Sequence, residues 1–162
     1  MTELAFSDWL WTIFWSIVPI SELRGGIPFA LSHELNPILV YFVCVAANAL
    51  AYPIVYLFLD NIHPIFERWE WYSKLFDKII IRTRNKVEKK INKYGFWGLM
   101  VFVMIPLPVT GAYTGSLAAW LFNIDKKKGF LAVLLGVVIS GLIVTSVYMS
   151  GAHIFDIFMK KM

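Results

Sequence analysis

The stretch Pro19-Ile20-Ser21-Glu22-Leu23-Arg24-Gly25-Gly26-Ile27-Pro28 interrupts an apolar run covering residues 4–31. Proline removes a backbone donor and breaks a helix ladder. Glycine permits the sharp turn that follows. The pattern therefore predicts an apolar arm, a break, and a second, shorter arm. A second region, residues 94–122, has the same form, broken by Pro106-Leu107-Pro108-Val109-Thr110-Gly111-Ala112-Tyr113-Thr114-Gly115.

Two windows beside these regions carry no charge, residues 37–59 and 130–149. Spanning about 30 Å of hydrocarbon takes about 20 apolar residues, so each predicts a transmembrane helix. Composition agrees. Of 162 residues, 59% are hydrophobic, 17% aromatic and 16% charged, against about 45–50% apolar and about 25% charged in soluble domains. A disordered chain, a collagen-like fibre and a disulfide scaffold are excluded, since Cys44 is the single cysteine. Cys, His and acidic residues are too scattered for a metal site of usual spacing, and no cofactor is expected. The start carries Glu3 and Asp8 and lacks a basic segment or small-residue cleavage site, so no signal peptide is expected.

A break in mid-hydrocarbon is tolerated only where protein or trapped water covers the freed backbone groups. Each interrupted region thus reads as a re-entrant hairpin, and charge placement sets its side. Lys89, Lys90 and Lys93 precede the second region and Lys126, Lys127 and Lys128 follow it. Basic flanks favour the cytoplasm, so this region dips in and returns. The first is flanked by Glu3, Asp8, His33 and Glu34, which places both ends outside. Lys160 and Lys161 then vote mildly against the outer location of the C-terminus. The expected fold is an all-α integral membrane protein. It has two re-entrant helical hairpins of opposite orientation, each followed by a transmembrane helix as an inverted repeat, plus a cytoplasmic amphipathic helix. Residues 1–59 form repeat one, 60–93 the cytoplasmic segment, and 94–162 repeat two. Paired interrupted helices of this kind point to a midplane substrate site in secondary transporters.

The segment 60–93 holds nine Lys/Arg and five acids. Phe76, Ile80, Thr83, Val87 and Ile91 recur at steps of three and four, making one helix face. Lys78, Arg82, Lys86, Lys89, Lys90 and Lys93 occupy the other. A basic amphipathic helix on the inner leaflet is expected, with Trp69, Trp71 and Tyr72 as headgroup-level anchors. The net charge of +4 is explained by this segment, so nucleic acid is not an expected partner.

Glu22 and Arg24 are the sharpest feature. An ionisable group at the bilayer centre costs roughly 2.5–3.5 kcal/mol, so it pairs, binds a ligand or lines water. Residues i and i+2 of a helix point about 200° apart, so a direct pair needs a non-helical turn, which Gly25-Gly26 could provide. One reading makes Glu22 a proton carrier and Arg24 an anion contact; the other makes them a structural ion pair. Gly25 and Gly26 could begin a half-helix whose amides face an anion, as could Thr110, Gly111, Thr114 and Gly115. Close packing of small residues is the plain alternative. Asn48 suits an interhelical hydrogen bond or a ligand contact, and Tyr113 could line a site. Asp60 and Asp125 fall where helix caps are expected. His33, His63 and His153 receive no role. No nucleophile–base pair, phosphate loop or zinc spacing is present, so an enzyme is not expected.

The string from Pro19 to Pro28 resembles the signature of the small multidrug export protein family of bacteria and archaea. Tyr94-Gly95-Phe96-Trp97-Gly98 and Pro106-Leu107-Pro108-Val109-Thr110-Gly111 fit as well, so the resemblance covers nearly the whole chain. That family is similar to the broader DedA (VTT-domain, SNARE-associated) superfamily. The resemblance implies opposed re-entrant hairpins in a prokaryotic plasma membrane and transport of a lipid or amphipathic ion. DedA proteins keep acids in the first hairpin, as Glu22 is here, and arginines in the second. Residues 94–122 hold no arginine, and Arg24 could supply the cation instead. The expected function is proton-coupled translocation or flipping of a lipid phosphate or other amphipathic ion. A small cationic drug exporter and a non-transporting membrane scaffold are the alternatives. Membrane lipids, an amphipathic substrate and a second copy of the chain are the expected partners.

Overall fold

The structure is a computed structural model that describes residues 2–66, 68–107 and 110–159, with side chains at 6–66, 68–85, 87–88, 91, 93–107 and 110–151. Expectations resting on Pro108, Val109, Lys160 and Lys161, and on the side chains of Glu3, Lys86, Lys89, Lys90 and His153, lie outside those residues. The described backbone is helix and turn. Two compact units divide the chain: Met1–Asn48 with Val138–Met162, and Ala49–Val137.

In the first unit, α1 (Thr2–Ile17) and α2 (Glu22–Ser32) are joined by a turn and pack on each other. The first interrupted region is therefore a helical hairpin, as expected, but its break is shorter. The turn occupies only residues 18–21, and the helix restarts at Glu22. Gly25, Gly26 and Pro28 are helical, not part of a loop. Pro28 removes one ladder bond, the one to the Arg24 carbonyl, and the helix runs through it. Gly26 serves approach rather than turning, because a Cβ there would collide with Ser16 Oγ on α1. The start of the long helix α3 (Pro37–Ala49) packs on the late part of α9 (Lys126–Met159). Tyr41 donates to the Val138 carbonyl at 3.1 Å, and a Cβ on Gly141 would meet Tyr41 and Val45 at 3.0 Å.

The second unit begins with α4 (Ala51–Leu57), a π-helical turn (Phe58–Ile62) and α5 (His63–Phe66). The helix expected to end at residue 59 instead continues to Phe66. Two prolines shape it. Pro53 cannot donate to the Ala49 carbonyl, and the α-helix is interrupted at Leu50. Pro64 has no N–H, and the ladder next to it slips to i→i−5, with His63 N–H bonding the Phe58 carbonyl. Asp60 therefore lies within a helix and caps nothing; its carboxylate takes Lys126 Nζ at 2.6 Å. Asp125 does cap α9, accepting from the Lys127 and Lys128 amides at 3.2 and 3.1 Å. The lysines expected as a flanking loop thus form the first turn of α9, and the helix starts at Lys126 rather than residue 130.

The helix α6 (Glu70–Tyr94) ends at Gly95, whose φ of +51° suits glycine. Then come α7 (Phe96–Met104) and α8 (Ala112–Leu121), which pack on each other and on α6. The face Phe76–Ile80–Thr83–Val87–Ile91 is real, but protein covers its far half: Thr83, Val87 and Ile91 are 5, 0 and 6% exposed. This corrects the expectation that this face lies on lipid. At its near end Phe76 stacks on buried His63, ring centroids 4.0 Å apart, and His63 Nδ1 is 3.1 Å from the Tyr72 hydroxyl. The early part of α9 closes the core. Gly136 lets it approach Val103 and the Met100 carbonyl, which a Cβ would meet at 2.6 and 2.9 Å.

Two helical runs, Pro37–Phe66 and Lys126–Gly151, are long and apolar enough to cross a membrane. Their most apolar windows are only 39% and 33% buried inside the protein. A core helix of a soluble protein would hide most of that surface, whereas lipid can cover it. On α1, Phe6, Leu10, Trp11 and Phe14 are exposed in the same way.

Candidate functional site

The turn between α1 and α2 is built on backbone strain. Ser21 and Glu22 amides both donate to the Val18 carbonyl, at 3.1 and 3.0 Å. Glu22 then adopts φ +50°, a left-handed value that a non-glycine residue occupies only when its surroundings demand it. This is the non-helical residue that a Glu22–Arg24 pair requires, and it is the glutamate itself, not Gly25 or Gly26. Arg24 Nη2 lies 3.8 Å from Glu22 Oε2, with side chains 25% and 9% exposed. That separation is a charge contact rather than a hydrogen bond. At an effective dielectric of about 20 the direct Coulomb attraction is roughly 4 kcal/mol, set against the cost of taking both charges out of water.

The neighbouring polar groups come from α1 and α3. Thr12 and Ser16 are fully buried, their hydroxyls donating to the Asp8 and Thr12 carbonyls at 2.7 and 2.8 Å. The Ser16 carbonyl is one of the last four of α1 and lacks an intrahelical donor. Asn48 supplies one, its Nδ2 reaching that oxygen at 3.1 Å. Asn48 is 1% exposed, and its Oδ1 is buried with no hydrogen-bond partner among the described residues. An amide flip would not help, because Oδ1 would then face the carbonyl. So Ser16 touches both Gly26 and Asn48, one helical turn beyond Glu22 on α2. Gly25 sits beside Ser21. Thr12 and Ser16 were not among the expected site residues, although hydroxyls four apart in an apolar helix were a readable signal.

The break in the second unit is chemically different. Residues 105–111 separate α7 from α8. Thr110 Oγ1 donates toward the Ile105 and Leu107 carbonyls at 2.7 and 2.8 Å and accepts the Leu107 amide at 3.2 Å. Its hydroxyl locks the loop. Gly111 has φ 154° and ψ −164°, a region open essentially to glycine. Thr114 Oγ1 reaches the Gly111 carbonyl at 3.4 Å, and Tyr113 is half-buried. Glu22, Arg24, Gly25, Gly26 and Asn48 thus belong to one unit, and Thr110, Gly111, Tyr113 and Thr114 to the other. Among the described residues, no group of three His, Cys, Asp or Glu could hold a metal.

Long helices whose apolar surface the protein leaves largely uncovered, together with the family that the chain matches, mark a helical membrane protein. The chain belongs to the family described as "Putative small multi-drug export protein", which residues 22–143 match. The match starts at Glu22 and takes in each expected site residue. The family's description is one of export, which is not an enzyme class, and the match does not by itself extend to the DedA superfamily. No curated protein and no solved structure matches the chain.

Proposed function

We propose that this chain is a proton-coupled transporter of an amphipathic anion such as a lipid phosphate, working through Glu22 and Arg24. The observation that carries the reading is a buried carboxylate held in a strained turn 3.8 Å from a guanidinium. Ionised, Glu22 occupies Arg24. Protonated, it loses that attraction, and Arg24 is released to hold an anionic group. One proton taken up by Glu22 then accompanies one substrate charge held by Arg24. This reading keeps the proton and the anion within the first unit; any substrate contact at Gly111, Tyr113 or Thr114 would belong to the second unit by itself, where Thr110 locks the loop.

The hairpins would dip into the bilayer of a prokaryotic cell and return, with the inverted repeat resting on the charges that flank them. A second copy would help cover the freed backbone of the turns. The support for dipping is the helix–turn–helix packing in each unit and the expense of open backbone in lipid.

Export of a small cation is the rival, favoured by one observation. Glu22 and the bare Asn48 Oδ1 are both acceptors buried in one unit, which suits a donor or a cation. Transport by the purified chain in liposomes separates the two. Labelled polyprenyl phosphate, phospholipid and ethidium are compared with and without a pH gradient. Polyprenyl phosphate movement that needs the gradient and is lost in Arg24→Ala is expected. Ethidium export that survives Arg24→Ala and fails in Glu22→Gln would give the rival the site. Transport unchanged in a Glu22/Arg24 double alanine variant would move the site elsewhere, and movement of none of the three substrates by the wild-type chain would leave a scaffold.

A further inference from the structure

We infer that α6 docks on an anionic lipid surface through the strip formed by Trp71, Leu75, Ile79, Lys78 and Arg82. The expected lipid face of this helix is taken by protein, so a different strip must be considered. His63 holds Tyr72 and Phe76 on one side of the helix. Steps of about 100° per residue then put Trp71, Leu75 and Ile79 on the flank. They are large apolar groups, 63, 52 and 43% exposed. The same steps place Lys78 and Arg82 among them, all five within an arc of about 100°.

Charge on α6 is segregated. Glu70, Asp77 and Glu88 fall on a separate strip only about 20° wide. Glu70 pairs with Lys74 at 3.5 Å and Glu88 with Arg84 at 3.7 Å. Lys78 and Arg82 are exposed and take part in no ion pair among the described residues. The result is apolar side chains edged by uncompensated cations, with an exposed Trp69 beside Trp71 at the helix start. Such a strip matches the plane where acyl chains meet anionic headgroups. A second copy is a poor occupant, since a two-fold contact would set Lys78 and Arg82 against themselves. The inference does not depend on what is transported.

The test uses the full chain in nanodiscs of neutral phosphatidylcholine, with and without phosphatidylglycerol. In a Cys44→Ala background, an environment-sensitive dye is placed through Leu75→Cys or, as control, Asp77→Cys. Wild-type chain is digested with trypsin in parallel, which needs no variant. Phosphatidylglycerol should shield the dye at 75 from aqueous iodide but not the dye at 77. It should also protect the bonds after Lys78 and Arg82 more than those after Lys74 and Arg84. Neutralising Lys78 and Arg82 together should lower the docked-to-free ratio about 30-fold, and molar salt should act the same way. Three results would overturn the inference: iodide reaching 75 equally in both discs, shielding independent of lipid charge, or shielding that grows with protein density, which would assign the strip to a second copy.

Discussion

Two breaks of like design carry opposite chemistry. Both contain proline, and both join packed helices. The 18–21 turn places the left-handed conformation on Glu22, at a steric cost, and uses it to bring a carboxylate beside Arg24. The 105–111 loop places its unusual backbone on Gly111, where the cost is absent, and closes with the Thr110 hydroxyl. Strain tolerated where glycine would have avoided it is a pointer to function. The second loop shows that the fold has a cheaper way to turn.

The largest expected effect tests that contrast. Glu22→Gln should reduce gradient-driven transport about 100-fold or more, the factor that losing roughly 3 kcal/mol implies, whereas Thr114→Val should stay within about threefold. The reverse ranking in a liposome flux assay would move the working site to the other break. Next comes Gly111→Ala, which forces a side chain into a glycine-only region and should destabilise the chain by about 1–3 kcal/mol. Asn48→Ala should cost about 1–3 kcal/mol, because it strips the Ser16 carbonyl of its donor in a buried place. Both are read as thermal melting in detergent, and Asn48→Ala with no loss would mean that water replaces the amide.

Much of the outline was readable from local signals. Pro19 and Pro106 marked both breaks, the uncharged windows marked the long helices, and Asp125 before three lysines marked a cap. What failed was local evidence with two outcomes. Pro28 can end a helix or cost it one bond, and the letters do not say which; here the helix runs through it. Asp60 looked like a terminus because charge usually stops an apolar helix. Instead, a π turn beside Pro64 carries the helix on, and Lys126, distant in sequence, neutralises the charge. The spacing of Val87 and Ile91 gave the buried face of α6, but not its cover, which comes from α7 and α8. The pairing of Glu22 with Arg24 was legible as a requirement for a non-helical residue. Its location was not, since glycine is the ordinary choice and glutamate holds the position.

The smallest effect isolates the strain itself. Glu22→Ala and Glu22→Gly both delete the carboxylate and both leave Arg24 without it, so their difference reports the backbone alone. At an ordinary helical position glycine is less stable than alanine by about 1 kcal/mol. At φ +50° alanine meets the steric penalty of the left-handed region, about 1–2 kcal/mol, and glycine escapes it. The order should therefore invert, with Glu22→Gly melting above Glu22→Ala. An alanine variant that melts higher would mean that residue 22 relaxes into ordinary helix once its charge is gone. The pair with Arg24, rather than the turn, would then be holding the glutamate in its strained conformation.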